Sequence, residues 1–156
     1  MTHNPPFKED INKNNISFYI WRLTKIWERA KQSVLTEFGL TPPQLEVLGA
    51  IRKMSLNNHD VRQIDIAQAL STDPMTVSSI LRNLERKSYV KRNKRDIDTR
   101  ALFITITPSG VELLERAEAK SQELQDKLFA DMDFELLTGV LRNFIERFDE
   151  LMDKQS

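Results

Sequence analysis

The stretch from Asp73 to Thr107, DPMTVSSILRNLERKSYVKRNKRDIDTRALFITIT, changes its hydrophobic period from helical to alternating, and few folds accommodate that change. Asp73 is a strong N-cap residue, and Pro74 suits the first helical turn, where a missing N–H costs nothing. Val77, Ile80, Leu81 and Leu84 then recur at helical spacing, so a helix from Asp73 to Lys87 turns one stripe toward a core. Its other side carries Met75, Thr76, Ser78, Ser79, Arg82, Asn83 and Arg86. Further on, Leu102, Ile104 and Ile106 point one way and Ala101, Phe103 and Thr105 the other, as in a strand packed on one face. Between a short strand at Tyr89-Val90 and this one, KRNKRDIDTR holds too many charges to be buried and reads as a hairpin tip.

The outward helix face is small, polar and basic, which suits entry into a DNA major groove. Short side chains let the backbone approach base edges, and flanking Arg residues find phosphate or guanine. Thr76, Ser78 and Ser79 are poor helix formers, and base or phosphate contacts give them a reason to be there. For Arg82 and Arg86, phosphate pairing is expected ahead of base readout, because it is the commoner contact. From Arg82 to Arg100 the chain has eight basic residues against three acids. Lys94, Arg95 and Arg100 at the hairpin tip therefore read either as DNA contacts or as an ordinary solvated charge run.

A helix followed by a basic β-hairpin is a winged helix. The residues TVSSILRNLERKSYVKR, DIDTRA and ITITPSG resemble the MarR family of dimeric winged-helix regulators. The family's wing carries an Asp-x-Arg pair, matched by Asp98 and Arg100, and its second strand ends in Leu-Thr-x-x-Gly, matched by Ile106, Thr107 and Gly110. The resemblance implies that Arg100 enters a minor groove while Asp98 holds the wing in shape. Two positions depart from the pattern: Ser88 stands where the family usually has Gly, and Ile106 replaces the usual Leu. A left-handed cap at Ser88 would cost about 1 kcal/mol. The similarity runs from about Ala30 to Met152 and is sharpest from Thr41 to Gly110.

Upstream, a helix is expected from Asp10 to about Phe38, with Ile16, Tyr19, Ile20, Leu23, Trp27, Ala30 and Val34 on its stripe and Gly39 as the stop. Thr41-Pro42-Pro43-Gln44 starts the next helix, with Thr as cap and Gln at the capping-box position. Leu45, Leu48, Ile51 and Met54 give it an apolar side, and a loop follows from Ser55 to Asp60. VRQIDIAQAL forms a short helix, Ser71 to Asp73 the turn, and the pair is a helix-turn-helix. Pairing between Val61 and the wing is left open by the sequence. After the wing, Thr107-Pro108 restarts a helix, and a break near Asp133 precedes a last one rich in Phe.

That last stripe, with Leu137, Leu141, Phe144 and Phe148, is wider than a small winged helix can cover. Together with Ile16 and Ile20 it predicts a homodimer interface, the alternative being an intramolecular bundle with the first helix. The expected fold is mainly α with a small β-hairpin wing, a winged helix-turn-helix fused to a helical dimerisation region. Residues 1–38 form an arm and dimerisation helix, 39–110 the winged helix-turn-helix, and 111–156 the C-terminal dimerisation helices.

Net charge is zero, so a generic polyanion binder is not indicated, yet residues 112–153 hold twelve acids against five bases. Such polarity suits a protein that turns one end to phosphates; the acids also serve to solubilise long helices. With no Cys there is no disulfide, thiol switch or Cys-based zinc site, which excludes the family's oxidation-sensing branch. No signal-peptide run and no stretch of ~20 apolar residues occurs, so a cytoplasmic protein with no membrane partner is expected. His3 and His59 lack ligand partners at helical spacing, and no Gly-rich phosphate loop or nucleophile elbow is present, so neither metal, cofactor nor enzymatic activity is expected.

The family resemblance also implies a small aromatic or amphipathic effector between the dimer helices and the winged helix. Tyr19, Trp21, Trp27 and Met54 are candidate lining residues, against the commoner reading of aromatic residues as core. The function expected is a homodimeric, sequence-specific DNA-binding transcription regulator of a pseudo-palindromic operator, a repressor relieved by a ligand. The alternative is a winged-helix protein-protein interaction module without DNA binding.

Overall fold

The computed structural model describes residues 16–56, 60–95 and 98–153, and for residues 94, 95, 98–102 and 153 the backbone alone. The described residues form helices α1 (Ile16–Leu35), α2 (Pro42–Leu56), α3 (Gln63–Ala69) and α4 (Pro74–Arg86), strands β1 (Val90–Arg95) and β2 (Asp98–Ile106), and helices α5 (Pro108–Phe129) and α6 (Phe134–Asp153). The architecture is the expected mainly helical one with a two-stranded antiparallel hairpin.

The helix boundaries follow the chemistry of their caps. After α1 a single 3₁₀ turn, Thr36–Phe38, ends at Gly39, whose φ of +62° is the left-handed stop that Gly supplies. Residues 10–15, where the first helix was expected to begin, lie outside the described residues. At the start of α2 the Thr41 backbone N–H donates to Gln44 Oε1 at 3.1 Å, which is the reciprocal half of a capping box. Helix α2 runs one residue beyond the expected loop start at Ser55, whose hydroxyl donates back to the Ile51 carbonyl at 2.8 Å.

The core joins the end of α1, all of α2 to α4, the base of the hairpin and the first half of α5. Leu35, Leu48, Ile51, Ile66, Val77, Leu81, Leu84 and Ala117 are completely buried there. Val61, just before α3, is buried too, and its carbonyl accepts from Ile104 N–H at 2.8 Å, while Arg62 bridges Phe103. The pairing that the sequence left open therefore exists, and it attaches the wing to the helix-turn-helix.

The hairpin is longer than its composition suggests. β1 extends through Lys91 to Arg95, where sequence reasoning expected a charged loop, in register Val90 opposite Ile106 and Lys94 opposite Leu102, with a bulge at Lys94/Arg95. Charged and polar residues form a strand here because one face of the hairpin is open: Lys91, Asn93 and Thr105 are exposed, so ladder hydrogen bonds form without burying their side chains.

The joint between α4 and α5 is close. Helix α4 ends in a Schellman arrangement: Ser88 N–H donates to the Glu85 carbonyl at 2.8 Å and Tyr89 N–H to the Leu84 carbonyl at 3.0 Å. Ser88 has φ +63°, so the left-handed geometry is kept without the usual Gly. Thr107 caps α5 through its Oγ1, which accepts from Gly110 N–H at 3.1 Å and donates to the Ser88 and Tyr89 carbonyls at 2.8 and 3.1 Å. A Cβ on Gly110 would lie 2.2 Å from the Tyr89 carbonyl oxygen.

Beyond this body the long helices extend with their apolar sides open. On α1, Trp27, Ala30 and Val34 are half-buried, whereas Ile16, Tyr19, Ile20 and Leu23 are exposed. On α5, Leu114 and Ala117 are buried, but Leu128 and Met132 beyond it are exposed. Helix α6 starts where Asp133 Oδ1 accepts from Leu136 N–H at 2.9 Å. Its Leu141, Phe144 and Phe148 are 47%, 48% and 55% exposed, and α6 packs face to face with no other described element. The intramolecular bundle of first and last helices is therefore absent among the described residues.

Gly110→Ala is expected to lower the unfolding free energy by roughly 2 kcal/mol or more, since backbone must move to admit the methyl group. A urea midpoint equal to the parent's would show that α5 can shift from Tyr89 at no cost. Ser88→Gly should act in the opposite sense, adding about 0.5–1 kcal/mol by relieving the left-handed residue.

Candidate nucleic-acid interface

Helix α4 is held at both ends. Asp73 Oδ1 accepts from Met75 and Thr76 N–H at 2.9 and 3.0 Å, satisfying two of the free donors of the first turn. Gln63 of α3 donates to the Pro74 carbonyl at 3.1 Å, and Thr72 N–H closes the end of α3 on the Ala67 carbonyl at 2.9 Å. The turn between α3 and α4 includes Ser71 at φ +47°. These contacts fix the angle between the two helices.

With Val77, Leu81 and Leu84 inward, the opposite face of α4 is free. Met75 is 71% exposed, and Thr76, Ser79, Arg82 and Arg86 are exposed with it, while Ser78 and Asn83 sit half-buried on the two flanks. Arg82 Nη1 donates to Ser78 Oγ at 3.3 Å, one turn apart. Asn83 Oδ1 accepts from Gln44 Nε2 at 3.0 Å, tying the flank of α4 to the start of α2. Gln44, Ser79, Ile80, Arg82, Asn83 and Arg86 enclose a shallow concavity of about 370 Å³. Sequence reasoning did not assign Gln44 or Ile80 to this surface; a Gln at the capping-box position carries no hint of its second partner. Two guanidinium groups and an amide in one concavity can hold an anion such as a phosphate.

The wing is anchored to α4 by an ion pair. Arg92 of β1 donates through Nε to Glu85 Oε2 at 2.6 Å and through its backbone N–H to Oε1 at 3.3 Å, and Arg92 Nη2 also pairs with the same carboxylate. The hydrogen bond from Arg92, helped by its charge and opposed by partial burial, holds the Glu85 carboxyl below its ordinary value of 4.5. Part of the positive charge expected for a ligand is therefore used inside the protein. The backbones of Lys94, Arg95, Asp98 and Arg100 belong to the two strands, with Arg95 opposite Asp98. The side chains of these four predicted contacts lie outside the described residues.

The four residues expected around an effector do not converge. Tyr19 and Trp21 are exposed on α1, each with its ring about 6.0 Å from that of Phe18. Met54 packs against the core from α2. Trp27 alone of the four borders a groove of about 940 Å³, along with Lys31, Pro43, Val47, Leu70 and Ile80, between α1, the start of α2 and the α3–α4 turn. Tyr19 and Trp21, two residues apart, face opposite sides of α1 and so do not line one pocket together. Trp27 is half-buried, its ring 6.1 Å from Phe129 of α5 and 5.9 Å from the Lys31 ammonium.

Of the predicted dimer residues, Ile16, Ile20, Leu141, Phe144 and Phe148 are exposed in the chain and Leu137 is half-buried. His3 and His59 lie outside the described residues, among which no group of three or more His, Asp or Glu is arranged to hold a metal ion. No described helix is long and apolar enough to cross a membrane.

A helix-turn-helix whose second helix leads directly into a β-hairpin, flanked by long helices with open apolar sides, defines a winged helix-turn-helix of the kind found in transcriptional regulators. Residues 40–102 match the model of the MarR family. The HTH-type transcriptional regulator YdcH of Bacillus subtilis (strain 168) is 30% identical over 113 residues, covering 72% of this chain and 77% of that protein. SarZ of Staphylococcus haemolyticus, also an HTH-type transcriptional regulator, is 26% identical over 126 residues, 81% of this chain and 80% of its own length. The structure of the S. aureus MepR-DNA complex superimposes with a TM-score of 0.77 at 27% identity, covering 86% of this chain and 97% of that one. A mutant MarR from E. coli complexed with operator DNA shares the fold, with a TM-score of 0.73 at 19% identity over 90% and 99% of the two chains. The chain belongs to the MarR family, whose members are transcriptional regulators and not enzymes.

Because the folded-state value of Glu85 is depressed, its contribution to stability is present above pH 4.5 and is lost as pH falls through the lower folded value. Relative to Glu85→Gln, the parent protein should lose stability on acidification below about pH 4.5. Parallel pH-stability curves for the two proteins would show that the pair with Arg92 adds nothing.

Proposed function

We propose that this chain is a homodimeric, sequence-specific DNA-binding transcription regulator, a repressor whose grip on a pseudo-palindromic operator is relieved by a small molecule. The observation that carries the reading is the outer face of α4: Thr76, Ser79, Arg82 and Arg86 exposed on a helix fixed at both ends and followed by a wing. Support also comes from the likeness to MepR, whose structure is a complex with DNA. In this reading each subunit lays α4 in a major groove, with Met75, Thr76, Ser78, Ser79, Arg82, Asn83 and Arg86 toward it. Lys94, Arg95 and Arg100 approach the neighbouring minor groove, and Asp98 shapes the wing. Residues 39–110 act as the DNA-binding unit, with 1–38 and 111–156 as dimerisation parts, in the cytoplasm.

The dimer forms through α1 and α6, including Ile16, Ile20, Leu137, Leu141, Phe144 and Phe148, because their apolar sides are largely exposed among the described residues. An aromatic or amphipathic effector in the groove bordered by Trp27 would favour a dimer whose recognition helices no longer sit ~34 Å apart.

Arg100→Ala should weaken operator binding by roughly 1–3 kcal/mol in an anisotropy titration. Unchanged affinity would remove the wing from the mechanism. Leu141→Asp should sediment as a monomer and bind poorly; a variant that stays dimeric would move the interface elsewhere. Binding should also weaken steeply with salt, whereas a protein-protein module need not show this.

A further inference from the structure

We propose that Gln44 is a positioning residue for the DNA-facing helix: it locks the Asn83 carboxamide so that its NH₂ group faces outward, making the concavity between α2 and α4 a donor-rich clamp for a hydrogen-bond acceptor of DNA. The proposal rests on the DNA-binding reading of α4 and deepens it.

The orientation follows from a chain of obligate hydrogen bonds. The Thr41 backbone N–H can only donate, and it donates to Gln44 at 3.1 Å, so the Gln44 atom it meets is the carbonyl Oε1. The other end of the same amide, Nε2, is thereby turned to Asn83 at 3.0 Å. Nε2 can only donate, so the atom of Asn83 that meets it is Oδ1, and Nδ2 with its two protons is left for an external partner. Two of the remaining polar groups of the concavity, Arg82 and Arg86, have donors only, and the Ser79 hydroxyl, which can donate or accept, is compatible with the same partner.

An Asn on a recognition helix ordinarily suggests adenine, which needs an acceptor for its N6 amino group beside a donor to N7. Here the acceptor half of Asn83 is engaged within the protein. The clamp instead matches an edge made of acceptors, which on duplex DNA is a backbone phosphate or the O6/N7 edge of guanine.

The test compares Gln44→Glu and Gln44→Leu, each in the Asn83 and the Asn83→Ala background, by anisotropy on an operator recovered from a random duplex library. Thermal melts of every variant separate loss of contact from loss of fold. Gln44→Glu keeps an acceptor for Thr41 N–H and hence the helix start, but offers Asn83 no donor, so Asn83 turns its NH₂ inward. Gln44→Leu releases Asn83 altogether without adding charge. We expect Gln44→Leu to weaken binding roughly tenfold beside Asn83 and less than about twofold beside Asn83→Ala. The loss with Gln44→Glu beside Asn83→Ala measures charge repulsion alone and should be the smaller of its two losses.

Repeating the selection with Gln44→Glu distinguishes the two acceptors. Loss of a guanine from each half-site, or its replacement by adenine, assigns the clamp to a base edge. Unchanged selected sequences with uniformly lower affinity assign it to a phosphate. Equal losses in both Asn83 backgrounds would overturn the proposal and leave Gln44 as a helix cap only. A parent protein that binds no duplex would fail before any substitution, removing the DNA-binding reading and the clamp together.

Discussion

The fold depends on the joint where α4 ends and α5 begins. Thr107 donates to the Ser88 and Tyr89 carbonyls while capping α5, and Gly110 lets α5 approach so closely that a single methyl group would collide with the Tyr89 carbonyl. One side of this joint is the helix with the exposed polar face, and the other is a long helix that leaves the body with an open apolar side. Sliding between them would break buried hydrogen bonds, so a change in the direction of α5 carries α4 with it. A rigid joint of this kind is what a dimeric regulator needs, because the distance between two recognition helices is then set by how the long helices meet. The left-handed Ser88 shows that the geometry of the joint outweighs the local preference of the residue that occupies it.

Much of this was legible in the sequence because it is written in caps. Asp73-Pro74, Thr41-Pro42 and Thr107-Pro108 each open a helix, and Gly39 stops one, since the groups they satisfy are local. The buried stripe Val77, Leu81 and Leu84 was visible as a period, and with it the outward face of α4. Contacts between distant residues were not legible. The Arg92–Glu85 pair, the Ile104–Val61 hydrogen bond and the Gln44–Asn83 bond join residues from different elements, and nothing in the spacing of either partner announces the other. The strand through Lys91 to Arg95 was hidden for a different reason: its charge density reads as a loop, although a strand with an open face accommodates charge. On α1 the aromatic residues share composition but not surroundings: Trp27 borders the groove, whereas Tyr19 and Trp21 are exposed.

Charge is divided along the molecule as the sequence implies, with bases around α4 and the hairpin and acids along α5 and α6. The structure refines that division. Arg92 of the wing pairs with Glu85 of α4, and Lys31 pairs with Glu46 at the groove between α1 and α2, whereas Arg82 and Arg86 stay exposed on α4. Apolar surface is divided as well: the body buries its own core, and the ends of α1, α5 and α6 leave Ile20, Leu128, Phe144 and Phe148 in solvent. In the proposed dimer, a second copy meeting this apolar surface about a two-fold axis would cover both faces at once.

Whether two copies of this chain read DNA as a symmetric pair is decided by selecting the protein against a random duplex library at near-physiological salt. A symmetric pair enriches an inverted repeat whose half-sites are centred about one helical turn apart. Enrichment of no sequence, or of a single unrepeated half-site, would contradict it.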